Sequence, residues 1–445
     1  FIPLTKSKNK KNILEIFICI IIIVMKKIIC LIICIMSIST PVFAEVQHIT
    51  VDEAVTIALG HNLQLIAKRK ELDELRQELK RANALKNPQF QSNFLIGKVT
   101  EGNSSQFGLA LPVEVAKRSA RKNVVKAEIA LAENQIKEAE HDLKIEVMRA
   151  YFNILYMKSV VKIYQERENL FANMSAVTKS KNTSDVDILQ ADIKHKKQQI
   201  FLNKAKADLL KAQFKLNNIM NLKTDDVMFD TMETSLFQKD IFILKINLPD
   251  YPQIENVAMK YSYSIKIADS NIQKAQKELT LQKRQRIPDV TVAGGYAYQT
   301  AHQTGGEALP GAYVGVYTDI PLLYWYNPEV RQAKIRIEKS MLSKMSYESK
   351  LKIALKEDYN SFKYAKDNIN YYKSILDESE SILQAYTTKY QQGKVSLLNV
   401  MQVENAHKEL LNEYISEMQL YYNSYLDLMD NVGHDILLED EIFKK

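Results

Sequence analysis

Hydrophobic positions along this chain recur mostly at helical spacing, and over two long stretches the spacing tightens into a seam. Leu143, Val147, Ala150, Ile154, Met157, Val161 and Tyr164 follow one another at intervals of four and three. Phe362, Ala365, Ile369, Tyr372, Leu376, Ser379, Leu383, Tyr386 and Tyr390 repeat the pattern, and so do His407, Leu411, Tyr414, Met418, Tyr421, Tyr425 and Leu428. A stripe returning every ~3.5 residues stays against a partner helix and imposes a left-handed supercoil. Long coiled-coil helices are therefore predicted in two copies, over about 143–222 and 362–428. Neither Pro nor Gly occurs from Ala116 to Lys179, a run that predicts a rod of about 90 Å.

The two copies belong to a larger duplication. Ala58, Leu65, Glu78, Leu79 and Pro88 fall on Ala258, Ile265, Glu278, Leu279 and Pro288, displaced by 200 positions. Each half predicts a helix, Val51–Asn87 or Pro252–Ile287, stopped by proline and followed by a period-two stretch. Phe90, Phe94 and Ile96 share a face against Gln91 and Asn93. Phe107, Leu109, Leu111, Val113 and Val115 do so against Gln106, Gly108, Ala110 and Glu114. In the second half Val290, Val292, Tyr296 and Tyr298 oppose Asp289, Thr291, Ala293 and Gln299, and a last strand of ambiguous facing follows the Gly305-Gly306 loop. Strands are expected at about 89–98, 105–115, 289–300 and 311–322, with Pro112 and Pro321 turning each second strand into a descending helix. The helices should reverse at Lys179–Ser184 and Gln391–Ser396.

Alternation alone also fits hairpins on a soluble sheet. Here the hairpins sit between coiled-coil rods with no helical layer to cover them, and aromatic residues crowd their ends: Tyr296, Tyr298, Tyr313, Tyr317 and Tyr324-Trp325-Tyr326, with Trp325 the single tryptophan. Amphipathic rings favour the membrane boundary. Four strands cannot close a barrel, and open edges are not tolerated in lipid. The expected fold is mainly α with a membrane β-barrel, in which three protomers contribute four strands each to a twelve-stranded barrel above an α-helical tunnel.

Composition changes this picture little. Only 12 Gly and 10 Pro among 445 residues suit a helical protein. Of the formal charge of +7, residues 1–44 supply +5, and no basic patch with interleaved aromatics points to nucleic acid. Met25-Lys26-Lys27, the apolar run Ile28–Ile38 and Val42-Phe43-Ala44 read as a secretory signal peptide cleaved after Ala44, with residues 1–24 upstream sequence. A transmembrane anchor over Ile13–Val24 and Ile28–Met36 is the competing reading, opposed by the lysine pair. Cys19, Cys30 and Cys34 all precede the cleavage site, so a mature chain would hold no disulfide or thiolate metal site. Neither Cys30 nor Cys34 follows the small residues of a lipoprotein signal. The remaining divisions are a first repeat at 45–222, a linker or equatorial segment at 223–249 joined by the pieces Val227–Phe229 and Ile241–Ile246, a second repeat at 250–430, and a tail at 431–445.

Thr50-Val51-Asp52-Glu53-Ala54, the segment Tyr390-Gln391-Gln392-Gly393-Lys394-Val395-Ser396-Leu397-Leu398-Asn399-Val400, its weaker copy from Ser184 to Ala191, and the duplication carry a resemblance. Over the whole mature chain the sequence resembles the TolC-like outer membrane efflux proteins. The resemblance implies a homotrimer in the Gram-negative outer membrane, a periplasmic tunnel, a periplasmic adaptor (membrane fusion) protein at its tips and an inner-membrane transporter beyond. Gly393, Val395 and Ser396 match the family's adaptor-contacting turn. The first-repeat counterpart, from Lys181 to Ser184, lacks the glycine. Asp187 and Tyr390 match the family's periplasmic gate. Asn399 and Gln402 stand where acidic ring residues are expected, leaving that constriction weaker or displaced to Asp185 and Asp187. Leu111-Pro112-Val113-Glu114-Val115-Ala116-Lys117-Arg118 and Ile320-Pro321-Leu322 resemble the heavy-metal efflux branch.

No phosphate loop, HExxH or GxSxG is present, the histidines are scattered, and neither enzyme chemistry, a bound metal nor a cofactor is expected. Taken alone, Asp187 reads as a helix N-terminal residue and Tyr390 as a seam residue. The expected function is a passive exit duct. The alternative is a barrel-anchored trimeric coiled coil of structural or adhesin type, which would carry one terminal barrel segment and no duplication.

Overall fold

A computed structural model describes residues 45–95, 104–180, 185–221, 227–237, 246, 248–300 and 307–434. The proposed signal peptide with its cysteines, Ile96, Lys181, Ser184, the Gly305-Gly306 loop, most of the linker and the tail from 435 lie outside them. In chain order the elements are β1 (Glu45–Ile49), α1 (Val51–His61), α2 (Leu63–Asn83), β2 (Gln89–Leu95), β3 (Ser104–Val113), α3 (Lys117–Ser180) and α4 (Asp185–Ile219). There follow β4 (Val227–Thr231), α5 (Tyr251–Tyr261), α6 (Tyr263–Gln285), β5 (Val290–Gln299), β6 (Leu309–Thr318), α7 (Asn327–Gln391) and α8 (Leu397–Val432). From α1 to α4 and from α5 to α8 the same succession appears twice: two short helices, two strands, one long helix, one shorter.

The chain divides into a small unit of residues 1–47 with 223–228 and a large one holding the rest. Of the small unit, 45–47 and 227–228 are described. β1 and β4 form a two-stranded sheet. All that follows concerns the large unit.

The first repeat opens with a capped helix, whereas Asp250 at the start of α5 makes no side-chain cap bond. Thr50 accepts from the Glu53 amide while Glu53 accepts from the Thr50 amide at 2.8 Å, a capping box that starts α1. The sequence predicted one unbroken helix per repeat from here, but both break, at Asn62 and at Ser262, 200 positions apart. Asn62 turns to extended backbone, caps α2 by accepting from Leu65 N–H at 3.0 Å and donates to the Ile219 carbonyl at 3.2 Å. Apolar spacing runs through both breaks, so periodicity cannot reveal them. Residues of cap-favouring type at matching positions, Asn62 and Ser262, are the visible sign, although only Asn62 makes the side-chain bond. The second helices end at Asn83 and Gln285, short of the predicted Asn87 and Ile287.

α3 has 64 residues and α7 has 65, each about 96–98 Å long. α3 packs on α4 and α7 on α8, and α8 also contacts α3. The α7 and α8 seams lie in buried or half-buried stripes, with Phe362, Ala365, Ile369, Tyr390, Tyr414, Met418, Tyr421, Tyr425 and Leu428 buried. In α3 the seam is buried through Leu143, Val147, Ala150 and Ile154 and half-buried at Met157, Val161 and Tyr164, while a second, more deeply buried line takes over. The buried line continues as Ser159, Ile163, Arg167, Phe171, Met174 and Thr178. Hydrophobic spacing missed it because three of its positions are polar.

The hairpins join into one antiparallel sheet of order β2-β3-β5-β6. The register pairs Gln91 with Gly108, Gly108 with Gly295 and Gly295 with Tyr313. Directly paired residues share a face, which resolves the facing of β6: Tyr313 and Tyr317 lie with the polar and small residues, Val314 and Val316 with the apolar ones. The second strands end sooner than alternation predicts, at Val113 and Thr318. Pro112 is inside β3, opposite Thr291, rather than at the turn. It is tolerated because β2 pairing stops at Gln89 and Ala110, leaving β3 an edge strand beyond that point.

Candidate functional site

The four-stranded sheet sorts its side chains by face. On one face stand Phe90, Phe94, Phe107, Leu109, Leu111, Val113, Val292, Tyr296, Tyr298, Val314 and Val316, every one exposed, Val314 to 83%. The opposite face carries Gln89, Gln91, Asn93, Gln106, Gly108, Ala110, Ala293, Gly295, Ala297, Gly311 and Tyr313. The strands approach too closely there for larger groups. A Cβ on Gly295 would meet the Phe107 carbonyl, and one on Gly108 the Tyr313 hydroxyl. Tyr313 thus covers the gap left by two glycines. Among the described residues β2 and β6 present unpaired edges. In water, this is a sheet with its apolar side out and both borders open.

Where the sheet meets the helices, charges bind the repeats together. Arg121 grips Glu114 in a two-pronged pair, both bonds 2.9 Å, and Lys86 and Lys117 reach Asp289 at 3.2 and 3.3 Å. The planar guanidinium fork suits this carboxylate. Of the aromatics singled out in the sequence, Tyr296 and Tyr298 lie on the apolar face, and Tyr324, Trp325 and Tyr326 in the loop after β6.

The helix ends form a second feature. Phe171, Met174, Ala191, Tyr390, Leu397 and Val400 make one buried cluster drawn from α3, α4, α7 and α8, with Val395 packed on its border. The turn after α7 closes on Gly393, whose φ of 75° lies in the left-handed region. Ser396 caps α8, accepting from Asn399 N–H and donating to the Asn399 side-chain oxygen Oδ1. The expected gate residues separate on this frame. Tyr390 is buried at the cluster. Asp187 is half-buried in the first turn of α4, while Asp185 is exposed. Asn399 serves the α8 cap, and Gln402 is exposed.

Tyr390 has a partner that the sequence did not suggest. Its hydroxyl lies 2.6 Å from Thr178 Oγ1, which itself donates to the Met174 carbonyl at 2.7 Å. Thr178 has one hydroxyl proton, so Tyr390 donates and Thr178 accepts. This bond ties α7 to α3. About three turns along α3 from Thr178, Arg167 is buried against Glu404 of α8 and donates to Gln198 Oε1 of α4 at 3.2 Å. Burial raises the Glu404 carboxyl despite the adjacent guanidinium. Among the described residues no group of His, Cys, Asp or Glu is arranged to hold a metal, and no helix is long and apolar enough to cross a membrane.

This fold is that of outer membrane channels. The outer-membrane channel OprN superposes with a TM-score of 0.69 at 14% identity, covering 87% of this chain and 90% of that one. The CmeC outer membrane channel of Campylobacter jejuni gives 0.66 at 14% identity, covering 86% and 85%. Residues 256–434 match the model of the outer membrane efflux protein family. In sequence the chain is 22% identical over 394 residues to the cobalt-zinc-cadmium resistance protein CzcC of Cupriavidus metallidurans, covering 84% of this chain and 88% of that protein. The second half of the chain thus matches the outer membrane efflux protein family, and the chain as a whole shares the fold of outer membrane channels.

Proposed function

We propose that three copies of this chain form a passive exit duct through the outer membrane, fed by a periplasmic adaptor and an inner-membrane transporter. The single observation that carries this reading is the sheet, with an exposed apolar face, a polar and small-residue face, and two open edges. Lipid on the first, water on the second and a sister strand at each edge satisfy all three at once. Two helix stripes support the oligomer. α4 buries one heptad line on its own chain and exposes another at Val186, Ile193, Ile200, Ala207 and Phe214. α7 exposes Leu342, Ile353, Tyr364 and Ile375 at an interval of 11. Such lines suit helices of a neighbouring protomer.

The tip cluster is the gate in this reading, with Tyr390–Thr178 holding α7 to α3, Asp185 and Asp187 near the axis, and Asn399 and Gln402 along α8. Gly393, Val395 and Ser396, with 181–184, meet the adaptor. Divalent metal ions are the proposed cargo, on the likeness to the metal-resistance relative, and pass through as substrate without a resident site. Loss of one neutral hydrogen bond per protomer is worth about 1 kcal/mol, roughly 3 kcal/mol in a trimer, enough to shift a closed–open equilibrium about a hundredfold. In planar bilayers, Tyr390→Phe combined with Thr178→Val should therefore raise the open fraction. Unchanged conductance would remove this bond from the gate. A detergent-free, monomeric mature chain would end the duct reading altogether.

A further inference from the structure

The repeats differ most where the second strand of each hairpin gives way to its long helix. After Val113 the chain reaches α3 in three residues. Glu114 is tucked against Arg121 and Ala116 is buried, so that Val115 is the one exposed apolar side chain there. After Thr318 it takes residues 319–326 to reach α7. These stand out from the fold, with Ile320 64%, Leu322 83%, Leu323 102% and Trp325 52% exposed.

The loop is held in that shape from behind. Arg286 Nε donates to the Trp325 carbonyl at 3.0 Å and Arg286 Nη2 to Asn327 Oδ1 at 2.8 Å. Tyr324 donates to Glu329 at 2.6 Å, and its ring meets that of Tyr326 edge-on at 5.3 Å. Leu322 N–H returns to the Ile320 carbonyl at 2.8 Å. Tyr326 has φ 52°, a left-handed conformation that a bulky side chain keeps only where its surroundings impose it. A slack loop would fold its leucines inward. This one spends polar bonds and backbone strain on holding them out.

We propose that residues 320–325 are a lipid-inserting anchor, one per protomer, which enters the headgroup–acyl boundary of the membrane leaflet next to the helices. The inference rests on the sheet being a barrel wall and goes beyond it, since the anchor lies outside the strands and has no counterpart in the first repeat. Three features select lipid over a protein partner. The loop continues the exposed apolar line of β6 at Val314 and Val316. Its composition, leucines with a tryptophan and tyrosines, suits the interface, where rings keep one side wet. Exposed Lys283, Arg284, Arg331 and Lys334 flank it, and the two partners of Arg286 given above are neutral oxygens. Lipid phosphates complement such a rim.

Trp325 is the only tryptophan, so the native chain carries its own probe. The full mature protein would be reconstituted into phosphatidylcholine vesicles with and without phosphatidylglycerol, using lipids brominated at shallow or deep acyl positions. Shallow bromines should quench Trp325 roughly twofold, deep ones less, and aqueous acrylamide little. Leu322→Asp with Leu323→Asp should cut that quenching and slow insertion into preformed vesicles. Quenching by acrylamide alone would place the loop in water, and resistance to both quenchers would place it against a sister protomer. Either result overturns the anchor. The same preparation is tested for conductance: a conducting channel with an unquenched Trp325 sinks the anchor alone, whereas no channel and no oligomer sinks the duct reading.

Discussion

Asp358 on α7 faces Asp427, Asp430 and Asn431 of α8, and burial together with the Asp427 carboxylate pushes it up to about 6. Glu138, Asp142 and Asp430 are raised too, each chiefly by burial. A carboxyl with a folded pKa above its unfolded one binds its proton more tightly when folded. Its contribution to stability is complete below about 4 and lost as pH rises through 6. Asp358→Asn keeps an acceptor for Asn431, whose side chain donates at 2.9 Å. The variant should melt about 1–2 °C higher than the parent at pH 8 and no higher at pH 4. A gain of equal size at both pH values would refute the titration account. No pattern in the sequence announces this cluster, because its members come from three helices. Tyr390 shows the same boundary of legibility. Its place on the α7 seam could be counted from Phe362, whereas Thr178, 212 positions earlier, could be joined to it only by the folded geometry.

Among the elements, the long helices were readable wherever their seams are apolar and unreadable where polar groups enter. α7 and α8 kept their predicted lines. In α3 the most deeply buried line shifts off the predicted one after Ile154, because Ser159, Arg167 and Thr178 are buried, each for a local reason. Ser159 accepts from the Leu236 amide at 2.8 Å, and Arg167 answers Glu404 and Gln198. A buried ion pair adds little net stability, but removing one member strands the other charge. Glu404→Gln should therefore cost about 3–5 kcal/mol in urea unfolding of the detergent-solubilised protein. Arg167→Met with Glu404→Leu should cost less than that single change. If the double variant is the worse of the two, the pair is a net stabiliser and this account of the seam is wrong. Where α3, α4 and α8 meet, the pair offers partner-specific pairing that a wholly apolar stripe lacks.

For the whole molecule, the decisive property is that among the described residues β2 and β6 are each paired on one side only. The alternation of Phe107 to Val113 was visible from sequence. The order β2-β3-β5-β6 was not, because it depends on pairing between repeats, β3 with β5. That order leaves β2 and β6 as borders. Along β2, successive amides point alternately toward β3 and toward the open edge, so proline placed in turn at Gln91, Ser92 and Asn93 separates two possibilities. In a sheet that ends at β2, only prolines whose missing amide faces β3 should do harm, and alternate positions should be tolerated. In a ring closed by the next protomer, the outward amides are needed as well, and every position should prevent oligomer formation. Cross-linked mass in detergent reads the difference. Loss of the oligomer at all three positions is expected, with helical content kept at the positions facing the open edge. Tolerance at alternate residues would mean that β2 is a true border, and the wall would have to be closed by some other strand.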